Sequence, residues 1–161
     1  MSGYLKNPLE SQESTQMTKD RPCWDEVWMR VAATISERSV DPRHKVGAII
    51  VTEDNTQLLS LGYNGNYRGG PNTIESSEPG ETGLIHAEIN ALLKMDYNIP
   101  KKKKMYVTLS PCSMCAKAIV NAGIDEVIYL EEYRRFEGIS ILKSAKISVR
   151  KYNLSETDIY D

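Results

Sequence analysis

Apolar residues follow two patterns along this chain, and the two patterns separate predicted helices from predicted strands. Between residues 23 and 38 they recur every three or four positions, which is typical of an amphipathic helix with one buried stripe. At 46–51 they form an unbroken run rich in β-branched residues, which indicates a buried strand. The patterns predict helices at 23–38, 85–95, 112–122 and 136–145, and strands at 46–51, 58–63, 104–109, 126–130 and 147–149.

The order of these elements predicts an α/β fold. The first two strands are separated only by a short turn around 54–55, so they are expected to form a hairpin. After the hairpin, helices and strands alternate, which indicates a mixed sheet of five strands with helices on both faces. We therefore expect a three-layer α-β-α architecture.

A long segment rich in glycine, 64–83, separates the second strand from the second helix. It holds five of the ten glycines, and a loop of this length inside a compact domain is usually functional. Residues 1–22 are rich in Ser, Gln, Thr and charge, and they predict a polar N-terminal extension. With a short acidic tail at 153–161, these boundaries leave a single domain at 23–152.

Length and charge argue against several classes of protein. The chain has 161 residues, with 20 Lys and Arg against 22 Asp and Glu, and a formal net charge of −2. This size suits one globular domain, and the near-neutral balance argues against a nucleic-acid polymer as partner, because such binding requires a basic face. The chain has no apolar run near the ~20 residues of a membrane-spanning helix, and it does not begin with an apolar secretory segment. We expect a cytoplasmic protein without membrane contact.

Two of the predicted helices begin with side chains that bind metals. His86, Ala87 and Glu88 open the second helix, and Cys112 and Cys115 lie one turn apart at the start of the third. Free N–H groups and the helix dipole at such a start favour thiolates. Two thiolates and one neutral imidazole cancel the charge of Zn²⁺ and leave a fourth tetrahedral position for water, which is typical of a catalytic zinc site.

Glu88 lies two residues from His86 and therefore points away from the ligand position. A carboxylate beside zinc-activated water, but not bound to the metal, suits proton transfer. Taken alone, the two cysteines are also compatible with a structural zinc site or a redox pair. A structural site would need a fourth Cys or His ligand, and Cys23 and His44 lack the required spacing.

These residues form the pattern His-x-Glu followed by Pro-Cys-x-x-Cys, through which the chain resembles the cytidine deaminase superfamily. A Gly-Tyr-Asn-Gly turn and a His-Ala-Glu-Ile-Asn-Ala run are similar, more narrowly, to the deoxycytidylate (dCMP) deaminases. The resemblance covers residues 23–152 and implies a cytidine-deaminase-like three-layer fold. The segments that carry it are 39–42, 46–48, 62–65, 86–91 and 106–117.

The resemblance implies zinc-dependent hydrolysis of dCMP to dUMP and ammonia, a reaction that supplies dUMP for thymidylate synthesis. His86, Cys112 and Cys115 would hold one zinc ion per chain. Glu88 would carry protons from water to N3 of the cytosine and to the leaving amine. Some viral members bind a second zinc ion through an insertion rich in Cys and His, and residues 75–83 contain neither.

The resemblance also implies contacts with the nucleotide. Asn64 is expected to hold the 3′-hydroxyl of the sugar. The alternative is that Asn64 and Gly65 only form a turn, since both residue types tolerate positive φ. The backbone N–H of Ala87 is a candidate partner for the pyrimidine carbonyl. The 5′-phosphate needs cations or hydrogen-bond donors, and each candidate for that role could instead be a solvated surface residue. The phosphate candidates are Arg43, Lys45, Tyr133 and Arg134.

The family includes hexameric members that dCTP activates and that dTTP inhibits together with Mg²⁺. The resemblance therefore implies a homo-oligomer, with a hexamer expected, and regulation by these two triphosphates. Asn66, Arg68 and Gly70 lie in a segment whose glycines would let backbone N–H groups approach a triphosphate. The alternative is a flexible surface loop without a ligand.

Three other functions are compatible with the zinc motif. A deaminase of an adenosine in tRNA would need a basic surface around a flipped base, which the net charge disfavours. A deaminase of another cytosine nucleoside or nucleotide would differ in how it binds the phosphate. A non-enzymatic zinc scaffold would have no use for a free carboxylate at Glu88. Outside the motif, the four lysines at 101–104 predict a solvated loop before a strand.

Overall fold

The computed structural model describes residues 21–153. Most of the predicted extension at 1–22 and of the predicted tail at 153–161 lies outside the described residues, so these boundaries stay predictions. Within the described range, all the predicted helices and strands are present in the predicted order. They are α1 (Trp24–Ser36), β1 (Gly47–Thr52), β2 (Leu58–Tyr63), α2 (Ala87–Leu92), β3 (Lys103–Leu109), α3 (Ser113–Asn121), β4 (Glu126–Glu131), α4 (Glu137–Ser144) and β5 (Ser148–Lys151).

Helix α2 ends earlier than the predicted helix 85–95. After Leu92 the backbone tightens, because the N–H groups of Lys94 and Met95 donate to carbonyls only three residues earlier. The hydroxyl of Tyr97 then donates to the carbonyl of Leu92 at 2.9 Å and satisfies an acceptor at the helix end. The apolar periodicity does not show this ending, because Met95 is still buried beyond it.

The five strands form one mixed sheet in the order β2-β1-β3-β4-β5. β1 is antiparallel to both β2 and β3, whereas β3, β4 and β5 are parallel to one another. β1 thus has neighbours on both edges, and all six of its residues are buried. The prediction of a five-stranded mixed sheet is confirmed.

Side chains of each strand alternate between the two faces of the sheet, and helices cover both faces. Ile49 and Val51 of β1 pack with Met29 and Ala32 of α1. Ile50 belongs to the larger cluster on the opposite face, which contains buried residues of α2, α3 and α4. The three-layer α-β-α architecture is therefore confirmed. Among the helices of residues 21–153, none is long and apolar enough to cross a membrane.

The lysine run 101–104 is only partly solvated. Lys103 and Lys104 begin β3, and both are buried. The ammonium group of Lys104 donates to Oδ1 of Asn55 at 2.8 Å and lies 5.8 Å from the ring centroid of Tyr106. The prediction of a solvated loop is wrong for these two lysines, because their long apolar stems cover the sheet while their charged ends find acceptors.

Two helix starts lie at one edge of this sheet. β3 and β4 are parallel, so their carboxyl ends meet at that edge, and α3 begins shortly after β3 ends. The start of α2 reaches the same edge by packing directly on β2. A Cβ atom on Gly62 would overlap the backbones of Ala87 and Ala91, so only glycine permits this approach.

A partly exposed ion pair ties α1 to the strands. Asp25 of α1 accepts hydrogen bonds from the guanidinium of Arg150 in β5 and, at 2.6 Å, from the hydroxyl of Tyr106 in β3. Burial raises the pKa of Asp25, but the hydrogen bonds from Arg150 and Tyr106 outweigh that effect and hold the pKa below its usual 3.8. The ionised carboxylate therefore stabilises the folded state above the unfolded-state pKa, and this stabilisation is lost as the pH falls through the lowered folded-state pKa.

We predict that Asp25→Asn lowers the free energy of unfolding at neutral pH by about 1 kcal/mol, a modest value because the pair is partly exposed. The difference from wild type should shrink as the pH falls and the wild-type carboxyl becomes protonated. Urea unfolding followed by circular dichroism from neutral to acidic pH measures both effects. Asp96→Asn is the control, because Asp96 is exposed and accepts hydrogen bonds from the neighbouring Asn98. A difference that stays constant with pH would contradict the prediction.

Candidate active site

Three metal-binding side chains meet at the edge where α2 and α3 begin. His86 directly precedes α2, and its Nδ1 lies 3.6 Å from Sγ of Cys112 and 3.3 Å from Sγ of Cys115. The ligand atoms lie within 4.8 Å of one another, and residues 21–153 contain no other group of three or more His, Cys, Asp or Glu side chains placed to hold a metal. In a tetrahedral site with Zn–S near 2.3 Å and Zn–N near 2.0 Å, nitrogen and sulfur are about 3.5 Å apart. Distances and donor set therefore fit one zinc ion.

The backbone at the start of α3 places both sulfurs on the same side. Cys112 is the N-cap residue with extended backbone, and its Sγ accepts a hydrogen bond from the N–H of Cys115 at 3.4 Å. The hydrogen bond from the Cys115 thiol lowers the pKa of Cys112 to about 3, and the same bond raises the pKa of Cys115. A divalent cation bound by both sulfurs would displace the thiol proton.

Helix α4 packs directly against this turn. A Cβ atom on Gly138 would overlap the carbonyl oxygen of Pro111, the residue before Cys112. Glycine at 138 therefore lets the backbone of α4 support the segment that carries the cysteines.

Glu88 lies in the first turn of α2 and is only 4% exposed. Burial raises the pKa of its carboxyl above the usual 4.5. The residue lines the same cavity as His86 and Cys112. A carboxyl that retains a proton more readily than usual, beside a metal site but outside its ligand set, is suited to general acid–base catalysis.

The site opens into a cleft made of two adjoining cavities. The inner cavity, of about 310 Å³, is lined by His86, Glu88 and Cys112, and the outer cavity, of about 410 Å³, is lined by Arg43 and Arg134. Volumes of this size are typical of small-molecule sites. The residues that line both cavities are Asp41, His44, Gly80, Thr82, Leu109 and Tyr133.

Most of the residues predicted to contact a nucleotide line this cleft. Lys45 is the exception, since it is exposed and lines neither cavity. The others are Asn64 and Ala87 in the inner cavity, Arg43 and Arg134 in the outer cavity, and Tyr133 in both. The contacts predicted for these residues stay predictions.

Asn64 has hydrogen bonds within the protein as well as a place in the cavity. Its Oδ1 accepts from the N–H of Val46 at 2.8 Å. Its Nδ2 donates to the carbonyl of His44 at 2.8 Å and to Oδ2 of Asp41 at 3.3 Å. Both amide hydrogens therefore have acceptors, and Oδ1 retains one lone pair for a ligand. The side chain holds the turn before β1 against the end of β2.

Asp41 lines the cleft and was not predicted as a site residue. It is buried, and its Oδ1 accepts hydrogen bonds from the N–H groups of Arg43 at 2.8 Å and His44 at 3.1 Å. The carboxylate thus shapes the turn that presents these two residues to the cavities. The sequence signal for this role was an Asp at the head of a turn containing proline.

Ser110 is a second cavity residue that the sequence analysis missed. It is buried at the end of β3, and its Oγ accepts a hydrogen bond from the N–H of Tyr133 at 2.7 Å. This bond ties the segment after β4 to the end of β3. The two residues are 23 positions apart, so local pattern gives no sign of the contact.

The segment predicted to bind regulatory triphosphates lies outside both cavities. Nδ2 of Asn66 donates to the carbonyl of Pro71 at 3.1 Å, and Gly69 has a positive φ of 81°. Arg68 is exposed beside them. The roles predicted for Asn66, Arg68 and Gly70 stay predictions.

Comparison with known protein families gives one clear match. Residues 22–131 match the family described as the cytidine and deoxycytidylate deaminase zinc-binding region. The deoxycytidylate deaminase of Saccharomyces cerevisiae is 32% identical over 160 residues, which cover 92% of this chain and 51% of that protein. The human deoxycytidylate deaminase is 35% identical over 133 residues, which cover 76% of this chain and 72% of that protein. The chain thus spans about half the length of the yeast relative.

Solved structures agree with these matches. A dCMP deaminase from the cyanophage S-TIM5, solved in complex with dCMP and dUMP, aligns with a TM-score of 0.71 and 36% identity. The alignment covers 82% of this chain and 98% of the phage protein. The apo form of the phage enzyme gives a TM-score of 0.67. The predicted cytidine-deaminase-like fold is therefore confirmed.

Proposed function

Because this chain belongs to the family of cytidine and deoxycytidylate deaminases, we propose that it is a zinc-dependent hydrolase that converts dCMP to dUMP and ammonia. The observation that carries this proposal is the buried carboxyl of Glu88, which lines the same cavity as the zinc ligands His86 and Cys112. The yeast and human relatives, and the phage structure with dCMP and dUMP, support the choice of substrate.

The reaction requires two proton transfers, and Glu88 is placed for both. A zinc ion held by His86, Cys112 and Cys115 would supply an acidic water molecule as the nucleophile. Glu88 would carry one proton to N3 of the cytosine as water adds to C4. It would then carry a second proton to the amine at C4, which leaves as ammonia while the carbonyl of dUMP forms. The raised pKa of Glu88 brings its proton affinity closer to that of these partners.

The polar groups of the cleft suit a nucleoside monophosphate. The N–H of Ala87, the first residue of α2, has no acceptor within the helix and is available to the pyrimidine carbonyl. The remaining lone pair of Asn64 would accept the 3′-hydroxyl. Arg43 and Arg134 bring two guanidinium groups to the outer cavity, where they would bind the 5′-phosphate together with Tyr133.

The family resemblance supports three further proposals about context. The product dUMP would supply thymidylate synthesis in the cytoplasm, and the enzyme would be a homo-oligomer, with a hexamer expected. dCTP would activate it, and dTTP with Mg²⁺ would inhibit it. In the turn that contains Asn66, Arg68 and Gly70, the N–H groups of Tyr67 and Gly70 already donate within the turn. The proposed triphosphate site is therefore supported by the resemblance and by the exposed Arg68.

We predict that Glu88→Gln retains zinc but loses nearly all turnover, because an amide cannot carry the proton. General acid–base catalysis typically contributes about 10²–10⁴-fold, so kcat should fall by at least that range. Metal analysis and an ultraviolet assay of dCMP hydrolysis measure the two properties in one preparation. Glu78→Gln, at an exposed glutamate, is the matched control. A Glu88→Gln variant with wild-type kcat would remove Glu88 from the mechanism.

We predict that Arg43→Ala weakens turnover of dCMP but not of deoxycytidine, which lacks the phosphate. Loss of one charged hydrogen bond corresponds to about a tenfold to hundredfold fall in kcat/KM. Lys45→Ala, which removes the same charge at a residue outside both cavities, is the control. Equal losses on the two substrates would show that Arg43 does not bind phosphate.

Assays with CMP and with an adenosine in tRNA separate the proposed substrate from its alternatives.

We predict that dCTP and dTTP shift the rate in opposite directions at subsaturating dCMP in the presence of Mg²⁺. Arg68→Ala should reduce both responses while leaving the basal rate unchanged, because the residue lies outside the cleft. Sedimentation of the same samples measures the subunit number. Hyperbolic kinetics that neither nucleotide alters would rule out the proposed regulation.

A further inference from the structure

The two ends of the segment 66–84 are joined by a backbone bridge between Gly65 and Ile85, which we call the neck. Gly65 and Ile85 form an antiparallel backbone bridge with both hydrogen bonds present, at 3.0 and 2.9 Å. Gly65 directly follows Asn64, and Ile85 directly precedes His86. The neck therefore joins a residue of the cavity to a zinc ligand.

Asn90, in the second turn of α2, fastens this neck to the helix. Its Nδ2 donates to the carbonyl of Tyr63 at 2.9 Å and to the carbonyl of Ile85 at 3.3 Å. Tyr63 is the last residue of β2, so a single side-chain amide holds the end of the strand and the entry to the helix. An amide with two N–H donors is the group that can serve two carbonyls in this way.

The backbone of Asn90 adds a contact on the other side of His86. Its N–H donates to the carbonyl of His86 at 3.0 Å. The side chain thus fixes the peptide group before His86, and the main chain fixes the peptide group after it. Together these two peptide groups set the direction in which the imidazole leaves the backbone.

We propose that Asn90 is a positioning residue that aims His86 at the two cysteine sulfurs. Asn90 is partly buried and lines neither cavity, so it would act through His86 and not by touching the substrate. Asparagine is a poor former of helix interiors, because its side chain competes for backbone groups. Here that competing contact is what connects α2 to the neck. The inference rests on the proposed zinc site, but not on dCMP as the substrate.

The test compares Asn90→Ala, Asn90→Asp and Asn90→Gln with the wild-type chain. Alanine removes the donor, aspartate places an acceptor against two carbonyls, and glutamine keeps a donor at a longer reach. Loss of a residue that orients a metal ligand typically weakens metal binding about 10–100-fold, and we expect this range for the Ala and Asp variants. Competition with a chromophoric zinc chelator measures the zinc affinity. Glutamine should restore part of the affinity. Asn72→Asp, at an exposed asparagine, is the control for the added charge.

Cobalt substitution separates positioning from general stability. Visible bands of Co²⁺ report the geometry of an imidazole and two thiolates, and they should shift in the Ala and Asp variants even where circular dichroism shows a folded chain. The decrease in kcat should be larger than the change in KM for dCMP, because the substitutions leave the substrate contacts untouched. Folded variants with the wild-type cobalt spectrum and zinc affinity would overturn the assignment of Asn90. A wild-type chain that binds neither metal would instead overturn the proposed zinc site itself.

Discussion

The site depends on the close approach of two helix starts that come from different parts of the sheet. One imidazole precedes α2 and two sulfurs lie at the start of α3, so the three candidate ligands come from two elements. Backbone contacts fix this approach. Gly62 lets α2 lie directly on β2, and Gly138 lets α4 lie against the turn that carries the cysteines. A single methyl group at either position would overlap backbone atoms, and densely packed interiors transmit such a displacement to their neighbours. Two glycines thus permit the approach that brings the three candidate ligands together.

Burial gives Glu88 its chemistry at a cost to folding. A carboxyl removed from water is less stable in its ionised form, which is why its pKa is raised. A residue placed only for stability would be paired with a cation, as Asp25 is with Arg150, and its pKa is accordingly lowered. The two carboxyls therefore show opposite shifts in one small domain. The raised pKa agrees with the proton transfer proposed for Glu88, since enzymes retain such local instability where the reaction needs it.

Much of the fold and the centre of the site followed from local sequence, while the rest depends on distant contacts. Apolar periodicity located all nine elements, because it repeats within one or two turns. The His-x-Glu and Cys-x-x-Cys motifs pointed to the three side chains that the fold brings together, although His86 and Cys112 are 26 positions apart. Ser110 was missed because its partner Tyr133 becomes a neighbour only in the folded chain. Asp41 was missed although its hydrogen bonds with Arg43 and His44 are local. Lys103 and Lys104 were wrongly expected in solvent. Lys104 donates to the side chain of Asn55, 49 positions away, and Lys103 donates to the carbonyl of Ile99 in the loop before β3. A run of four lysines reveals neither acceptor.

The charges of the outer cavity are compatible with the proposed phosphate site, although carboxylates lie nearby. Asp41 lies between the cavities, but the N–H groups of Arg43 and His44 already neutralise part of its charge. Glu131 and Glu132 line the outer wall, yet neither Arg43 nor Arg134 forms an ion pair with a carboxylate of the described residues. Both guanidinium groups thus remain available to an anion. A phosphate dianion carries more charge and more acceptor atoms than a carboxylate, so it can use two such groups together. Glu131 and Glu132 would repel a polyanion more strongly than a mononucleotide, because a strand carries many phosphates. This difference favours a small nucleotide over a nucleic-acid strand.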